Sequence, residues 1–147
     1  MKQFKKILCA YYFSDYAEEA LLYALKMSDP HTVLTLLNII QVPYIIDPNG
    51  FTYFEVKSEE IKTTTQEALQ LKIAEIKKKF TDIQCDFLLE IGNDPSELIL
   101  KIQHDGDFDL IVMGSHGRKG FGRLLMGSVS ESVMREATCP VMIIKSK

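Results

Sequence analysis

The sequence predicts a doubly wound α/β domain, a five-stranded parallel sheet with about four helices on its two faces. Three observations predict it. Short apolar runs alternate along the chain with stretches whose apolar residues recur at helical spacing. The runs are nearly continuous, the pattern of strands buried on both faces rather than of strands half exposed to water. Strand, helix and strand in succession then demand crossovers, which are right-handed in almost every known case. A length of 147 residues suits one domain spanning residues 1–147, and 46% hydrophobic residues suffice for a two-layer core.

Residues 4–10 form the first apolar run. Asp15-Tyr-Ala-Glu18 then reads as a capping box opening a helix whose apolar face is Ala17, Ala20, Leu21, Ala24 and Leu25. Val33 to Ile40 is a second buried strand by its length and branching. From Gln41 to Lys57 the chain is irregular, broken by Pro43, Pro48 and Asn49-Gly50 and carrying Tyr44, Phe51, Tyr53 and Phe54. At about 17 residues this stretch exceeds the usual loop, which suits a lid or an interface, or aromatics folded over the sheet edge. Glu59 to Phe80 is a long helix with Leu69, Ile73, Ile76 and Phe80 on one face, and Lys77 to Lys79 suit its negative pole. Cys85 to Ile91 is the third strand. Asp94-Pro-Ser-Glu97 joins an N-cap, a proline at the first helical position and a capping glutamate, the firmest helix start in the chain. Asp109 to Met113 is the fourth strand, Val129 to Ala137 the fourth helix and Val141 to Ile144 the fifth strand.

Seventeen basic against 20 acidic side chains give a formal charge of −3, so no global field favours nucleic acid or an anionic membrane. An anion must be held locally. Cys9, Cys85 and Cys139 make no C-x-x-C pair, and Cys9 and Cys85 fall in apolar runs, as small buried hydrophobes do in a reducing compartment. No apolar stretch reaches the roughly 18 residues of a membrane span, and the first residues do not read as a signal peptide. A cytoplasmic protein is expected.

The feature that carries chemistry is the loop after the fourth strand, Gly114-Ser-His-Gly117, nine residues, then Gly127-Ser128. Glycines let a backbone approach an anion closely, and the N–H groups of a helix start direct about half a positive charge at the same place. Arg118, Lys119 and Arg123 lie in the loop. No Gly-Lys-Ser/Thr follows the glycines, so this is not a Walker A loop, and the G-x-G-x-x-G spacing is absent. The same residues also make a sensible helix entrance in any protein, with Ser128 as cap and Glu131 completing the box.

The Gly-x2-Gly-x9-Gly-Ser spacing, the opening Ile7 to Ser14 and Ala17 to Ala24, and the closing Cys139-Pro-Val-Met-Ile-Ile144 together resemble the universal stress protein family from end to end. The resemblance implies the strand order 3-2-1-4-5, which makes the first and fourth strands neighbours at the switch point, so that the loops after them face one crevice. It also implies an adenine nucleotide, ATP with or without Mg²⁺, as ligand. Gly114, Gly117, Gly127 and Ser128 would then hold ribose and phosphates, with Met113, His116, Arg118, Val129 and Ser130 beside them, and Ile39 would line the adenine site. ATP-binding members read Pro-Thr-Asp at the end of the first strand; here Ala10, Tyr11 and Tyr12 occupy those positions, and the carboxylate is absent. Tyr12 can stack on a base or fill the adenine pocket. The order also leaves the apolar Val141 to Ile144 at a sheet edge, where two copies can pair into a homodimer, as in similar family members.

Catalysis finds little support in the residues. No paired carboxylates, nucleophile elbow, H-x-x-x-H or C-x-x-C spacing is present, and nothing near His116 in sequence gives it a reactive partner. Three readings remain. One is a nucleotide-binding stress or signalling module without fast chemistry. Another is an interaction protein whose pocket Tyr12 closes. The third, a weak adenine-nucleotide hydrolase, rests on fold analogy alone.

Overall fold

Ile7, Cys9 and Tyr11 pass to one side of the first strand, and Leu8 and Ala10 to the other; that alternation divides the core in two. The computed structural model describes residues 3–41, 45–46, 48–50, 52–53, 58–116 and 126–145. Its elements are β1 (Lys6–Ala10), α1 (Asp15–Lys26), β2 (Val33–Gln41), β3 (Ile45–Ile46), β4 (Thr52–Tyr53), α2 (Ser58–Lys79), β5 (Gln84–Gly92), α3 (Pro95–Asp105), β6 (Leu110–Gly114), α4 (Ser128–Glu136) and β7 (Val141–Ile144). Five of the strands form a parallel sheet in the order β5-β2-β1-β6-β7, which is 3-2-1-4-5 among the sheet strands.

On one face, α1 and α2 bury Ala17, Ala20, Leu21, Ala24, Leu25, Leu69, Ile73 and Ile76 against Ile7, Cys9, Leu34, Leu36, Leu110 and Val112. On the other, Ile99 of α3 and Val133 of α4 pack on Leu8, Leu37, Ile39, Ile111 and Met113. Leu34, Leu36 and Leu37 are wholly buried, and each such side chain stabilises by about 1.5–3 kcal/mol. A one-residue slip of β2 would exchange the two sets, so its register with β1, Lys6 opposite Val33 to Ala10 opposite Leu37, is strongly specified.

The helices follow the expected pattern with three local corrections. Ser14, not Asp15, caps α1: its side chain accepts from the Ala17 N–H, and this frees Glu18 for other contacts. Phe80 lies past the end of α2 and is 37% exposed; the buried stripe runs instead through Thr65, Leu69, Ile73 and Ile76. Gly127 takes the cap position of α4 and Ser128 becomes its first helical residue. Asp94 caps α3 as expected, accepting from the Glu97 N–H at 3.2 Å with Pro95 in the first turn. Bonds from Ser96 and then from the Glu97 N–H hold the Asp94 carboxyl below its ordinary range.

Gln41 to Lys57, read as irregular, contains a small antiparallel ribbon: Ile45 pairs with Tyr53 and Ile46 with Thr52. Gly50, at φ +83°, supplies the positive dihedral such a turn requires. The side chains of Tyr44, Phe51, Tyr53 and Phe54, and with them the readings of this segment as a lid, interface or satellite core, lie outside the described residues. Cys9 and Cys85 are buried free thiols. Burial pushes both above their ordinary range, Cys85 to about 12. Among the described residues no helix is long and apolar enough to cross a membrane.

Candidate functional site

β1 and β6 are hydrogen-bonded neighbours, Ile7 opposite Leu110 to Cys9 opposite Val112, and the chain leaves β1 toward β2 but enters β6 on β1's other side. This is the switch point. The turn after β1, residues 11–14, and the loop after β6 therefore start from adjacent strand ends, where ligands of open α/β sheets sit.

Ser115 ties the second loop together. Its N–H donates to the Ile144 carbonyl at 2.8 Å, and its own carbonyl accepts both the Gly127 N–H at 2.7 Å and the Ser130 hydroxyl at 2.9 Å. The Ser130 hydroxyl also lies 3.0 Å from the Gly127 carbonyl, which accepts the Glu131 N–H to begin the helical ladder. Together these bonds pin the start of α4 beyond the end of β6. They also explain why Ser128 does not cap: Gly127 is held extended at φ −63° and ψ 155°, and no side chain among the described residues caps the helix. Ahead of the Glu131 bond, the N–H groups of Ser128, Val129 and Ser130 form the positive pole of α4.

Gly114 and His116 meet α1. A Cβ on Gly114 would stand 2.8 Å from the Tyr16 Cβ and 3.2 Å from the Tyr16 carbonyl oxygen, so glycine is required here by the close approach of α1's first turn. The His116 ring lies 5.4 Å from the Tyr16 ring, centroid to centroid. Its Nδ1 is 3.0 Å from the Ser115 hydroxyl, while Nε2 is buried with no hydrogen-bond partner among the described residues. A buried ring nitrogen left this way is the polar atom at the site most in want of a partner.

Ala10, Ile39 and Met113 lie together on the α3/α4 side of the sheet, at most 5% exposed, with Tyr12 and Val129 packed against the same cluster. Ile39 is thus core. Tyr11 departs from the expectation most: its side chain is wholly buried on the opposite face, so it does not line this wall. Its backbone is committed too, the N–H to the Leu37 carbonyl and the carbonyl to the Asn38 amide, both at 2.8 Å. Its phenol donates to Glu18 Oε1, and burial followed by that bond pushes the phenol well above its ordinary range. Lys72 Nζ lies 3.0 Å from Glu18, 3.3 Å from Glu75 and 5.9 Å from the centre of the Tyr11 ring. Burial opposes its charge, yet the bonds to Glu18 and Glu75 outweigh that and raise the ammonium above its ordinary range. Next to Tyr11 in the turn, Phe13 has φ +55°, a conformation costing a non-glycine residue on the order of 1–2 kcal/mol.

Gly117, Arg118, Lys119 and Arg123 lie outside the described residues. Sequence reasoning missed Ser115, Tyr16, Asn38, Glu18 and Lys72. Asn38 alone carried a signal, as a polar residue in the middle of an apolar strand run. Among the described residues, no three His, Cys, Asp or Glu side chains gather to hold a metal.

The family model described as Universal stress protein family matches residues 3–145. Universal stress protein MJ0577 of Methanocaldococcus jannaschii is 32% identical, over 98% of this chain and 96% of its own. Its solved structure superposes with a TM-score of 0.75 at 31% identity, covering 99% of each chain. A universal stress protein from Archaeoglobus fulgidus in complex with dAMP has a TM-score of 0.65 at 20% identity, covering 99% of this chain and 100% of that one. Another universal stress protein, in complex with cAMP, has a TM-score of 0.66 at 17% identity with the same coverage. With its parallel sheet of matching order and its glycine loop after β6, the chain belongs to the universal stress protein family.

Proposed function

We propose that this chain binds an adenine nucleotide, ATP first among them, in the crevice beyond the ends of β1 and β6. It acts in the cytoplasm as a stress-response or signalling module whose output is occupancy rather than fast chemistry. One observation carries the reading: α4 is pinned by the Ser115–Gly127–Ser130 bonds with no side-chain cap on its N–H groups among the described residues, a positive pole suited to a phosphate. His116 Nε2, buried and without a partner among the described residues, fits the same anion as a donor. Ser128 and Val129, in the first turn, present backbone N–H groups to it; Gly117 and Arg118 are assigned by the family pattern alone. The dAMP and cAMP complexes of two structural neighbours agree with an adenine nucleotide. A magnesium ion would arrive with the phosphates, since no acidic cluster among the described residues is built to hold it. Two copies pair through β7, the edge strand beside β6.

The test is direct. Protein purified without added nucleotide is denatured and the released ligand identified, and ATP is titrated into the stripped protein with and without Mg²⁺. An adenine nucleotide in the released fraction, or saturable heat, is expected. Neither result, together with failure to displace a fluorescent ATP analogue, refutes the reading. A second reading is favoured by one observation, the packing of Tyr12 on the Ala10 and Ile39 cluster where a base would lie. In that case the chain is an interaction module with a closed pocket. Tyr12→Asp then creates nucleotide binding that the unmutated chain lacks.

A further inference from the structure

We infer that Lys72 of α2 is a positioning residue for the turn after β1: through Glu18 and Tyr11 it holds residues 11–14 in the shape that sets Tyr12 as a wall of the crevice. The argument begins at Phe13. A positive φ at a bulky residue persists only where its surroundings dictate it. Here the Phe13 ring meets Tyr11 edge to face, with centroids 4.9 Å apart at 69°, so the turn is set by where Tyr11 is held.

Tyr11 is held from three directions. Its backbone is fixed by Leu37 and Asn38 of β2, its phenol donates to Glu18 in the first turn of α1, and the Lys72 ammonium lies over its ring while bonding the same Glu18. The side chain of Lys72 is only 17% exposed, against 46% for Glu18, so the ammonium is the inner member of the pair and the carboxylate is drawn toward it. Removing that ammonium leaves Glu18 free to turn to water and takes from Tyr11 both the cation over its ring and the anchored carboxylate that fixes its phenol. Because successive strand residues face opposite sides, whatever fixes Tyr11 on the α1/α2 face also fixes the direction of Tyr12 on the crevice face. Lys72 meets Glu18 and Tyr11 on the α1/α2 face, opposite the crevice, and acts through them.

The test uses Lys72→Met, which keeps the apolar stem, and Lys72→Arg, which restores the charge. Amide hydrogen exchange is followed at Tyr12 to Ser14, and affinity for a fluorescent ATP analogue is measured alongside. The affinity arm rests on the nucleotide reading above; the exchange arm does not. Lys72→Met is expected to speed exchange at these amides selectively and to weaken the analogue by about tenfold, equivalent to about 1.4 kcal/mol. Lys72→Arg is expected to recover both. Unchanged exchange at Tyr12 to Ser14 overturns the inference, as does an acceleration spread evenly over β1 and β2, which marks a merely structural role. If the unmutated protein binds no analogue, the nucleotide reading fails by itself and the exchange result still decides the role of Lys72.

Discussion

Gly114 separates a ligand-driven glycine from a packing-driven one. The family pattern assigns it to the nucleotide, yet the structure sets it against α1, where an added methyl would stand 2.8 Å from the Tyr16 Cβ and 3.2 Å and 3.3 Å from the Tyr16 carbonyl oxygen and carbon. Ordinary carbon contacts lie near 3.5–4.0 Å, and the obstructing atoms are main chain or rigidly attached to it, so no rotamer change relieves the clash. The first turn of α1 must move by several tenths of an ångström against β6. Overpacking of this kind costs about 1–3 kcal/mol. Gly114→Ala is therefore expected to lose that much in urea unfolding with no nucleotide present, and to melt lower by about 2–4 °C for each kcal/mol. Tyr16→Ala keeps the Cβ and should not rescue the variant, whereas Tyr16→Gly, measured in a double-mutant cycle, should recover part of the loss. The reasoning fails if Gly114→Ala is as stable as the unmutated protein, within about 0.5 kcal/mol, and loses only nucleotide affinity.

Ser130→Ala removes the hydroxyl that bridges the Ser115 and Gly127 carbonyls, both of which keep a backbone partner, so a loss of about 1 kcal/mol is expected by chemical denaturation. A loss above about 3 kcal/mol would show that the hydroxyl holds more than this neck. At β7, the Pro140 and Ile144 carbonyls point toward β6, so the N–H groups of Val141 and Ile143 point to the open edge. Ile143→Pro should convert a dimer into a monomer in sedimentation while keeping the β6 ladder; a dimer that survives it is not built on β7. Ile144, in contrast, is 7% exposed in the core, and lysine there would unfold the chain rather than report an interface. Stability should also fall in alkali. The folded pKa values of Cys9, Cys85 and Tyr11 are raised, so their contribution is complete below the unfolded values and is lost as pH climbs above them, from about 9 for the thiols and about 10 for the phenol. The unfolded chain then holds fewer protons, and each such group steepens the decline by about 1.4 kcal/mol per pH unit. Urea melts that stay level between pH 8 and 10.5 would refute this.

Much of the fold was legible because its signals are local and repeated. The α1 face Ala17, Ala20, Leu21, Ala24 and Leu25 is buried as its spacing predicted, and β2 is the doubly buried run it looked like; β5, at the sheet edge, instead alternates covered Cys85, Phe87 and Leu89 with exposed Asp86, Leu88 and Glu90. Strand order was not local information; it came from resemblance, since nothing in Ile7 to Ala10 names its neighbour. The errors at helix starts were shifts of one residue, where Ser14 rather than Asp15, and Gly127 rather than Ser128, took the cap. Several side chains can cap within one turn, and tertiary bonds such as Ser130 to Ser115 choose among them. Asn49-Gly50 was read as a break although the same pair is a hairpin signal, because the two-residue strands beside it are too short to show alternation. At the site, the glycine spacing marked the loop after β6, most of which lies outside the described residues. Tyr11 was assigned to the crevice by its place in the family pattern, whereas it continues the alternation of Ile7 and Cys9 and so turns to the α1/α2 face.

The Ser115–Gly127–Ser130 bonds form a neck that joins the end of β6 to the start of α4 whatever chain runs between them. A closed loop contributes its length to the free energy only logarithmically, about 0.6 kcal/mol for each doubling. Residues can therefore be inserted, removed or exchanged between His116 and Met126 while the neck keeps β6, β7 and α4 where they are. A domain built this way can change that segment without renegotiating its core. Grafting a longer or differently charged segment between these two positions should yield chains that fold alike and unfold at nearly the same urea concentration.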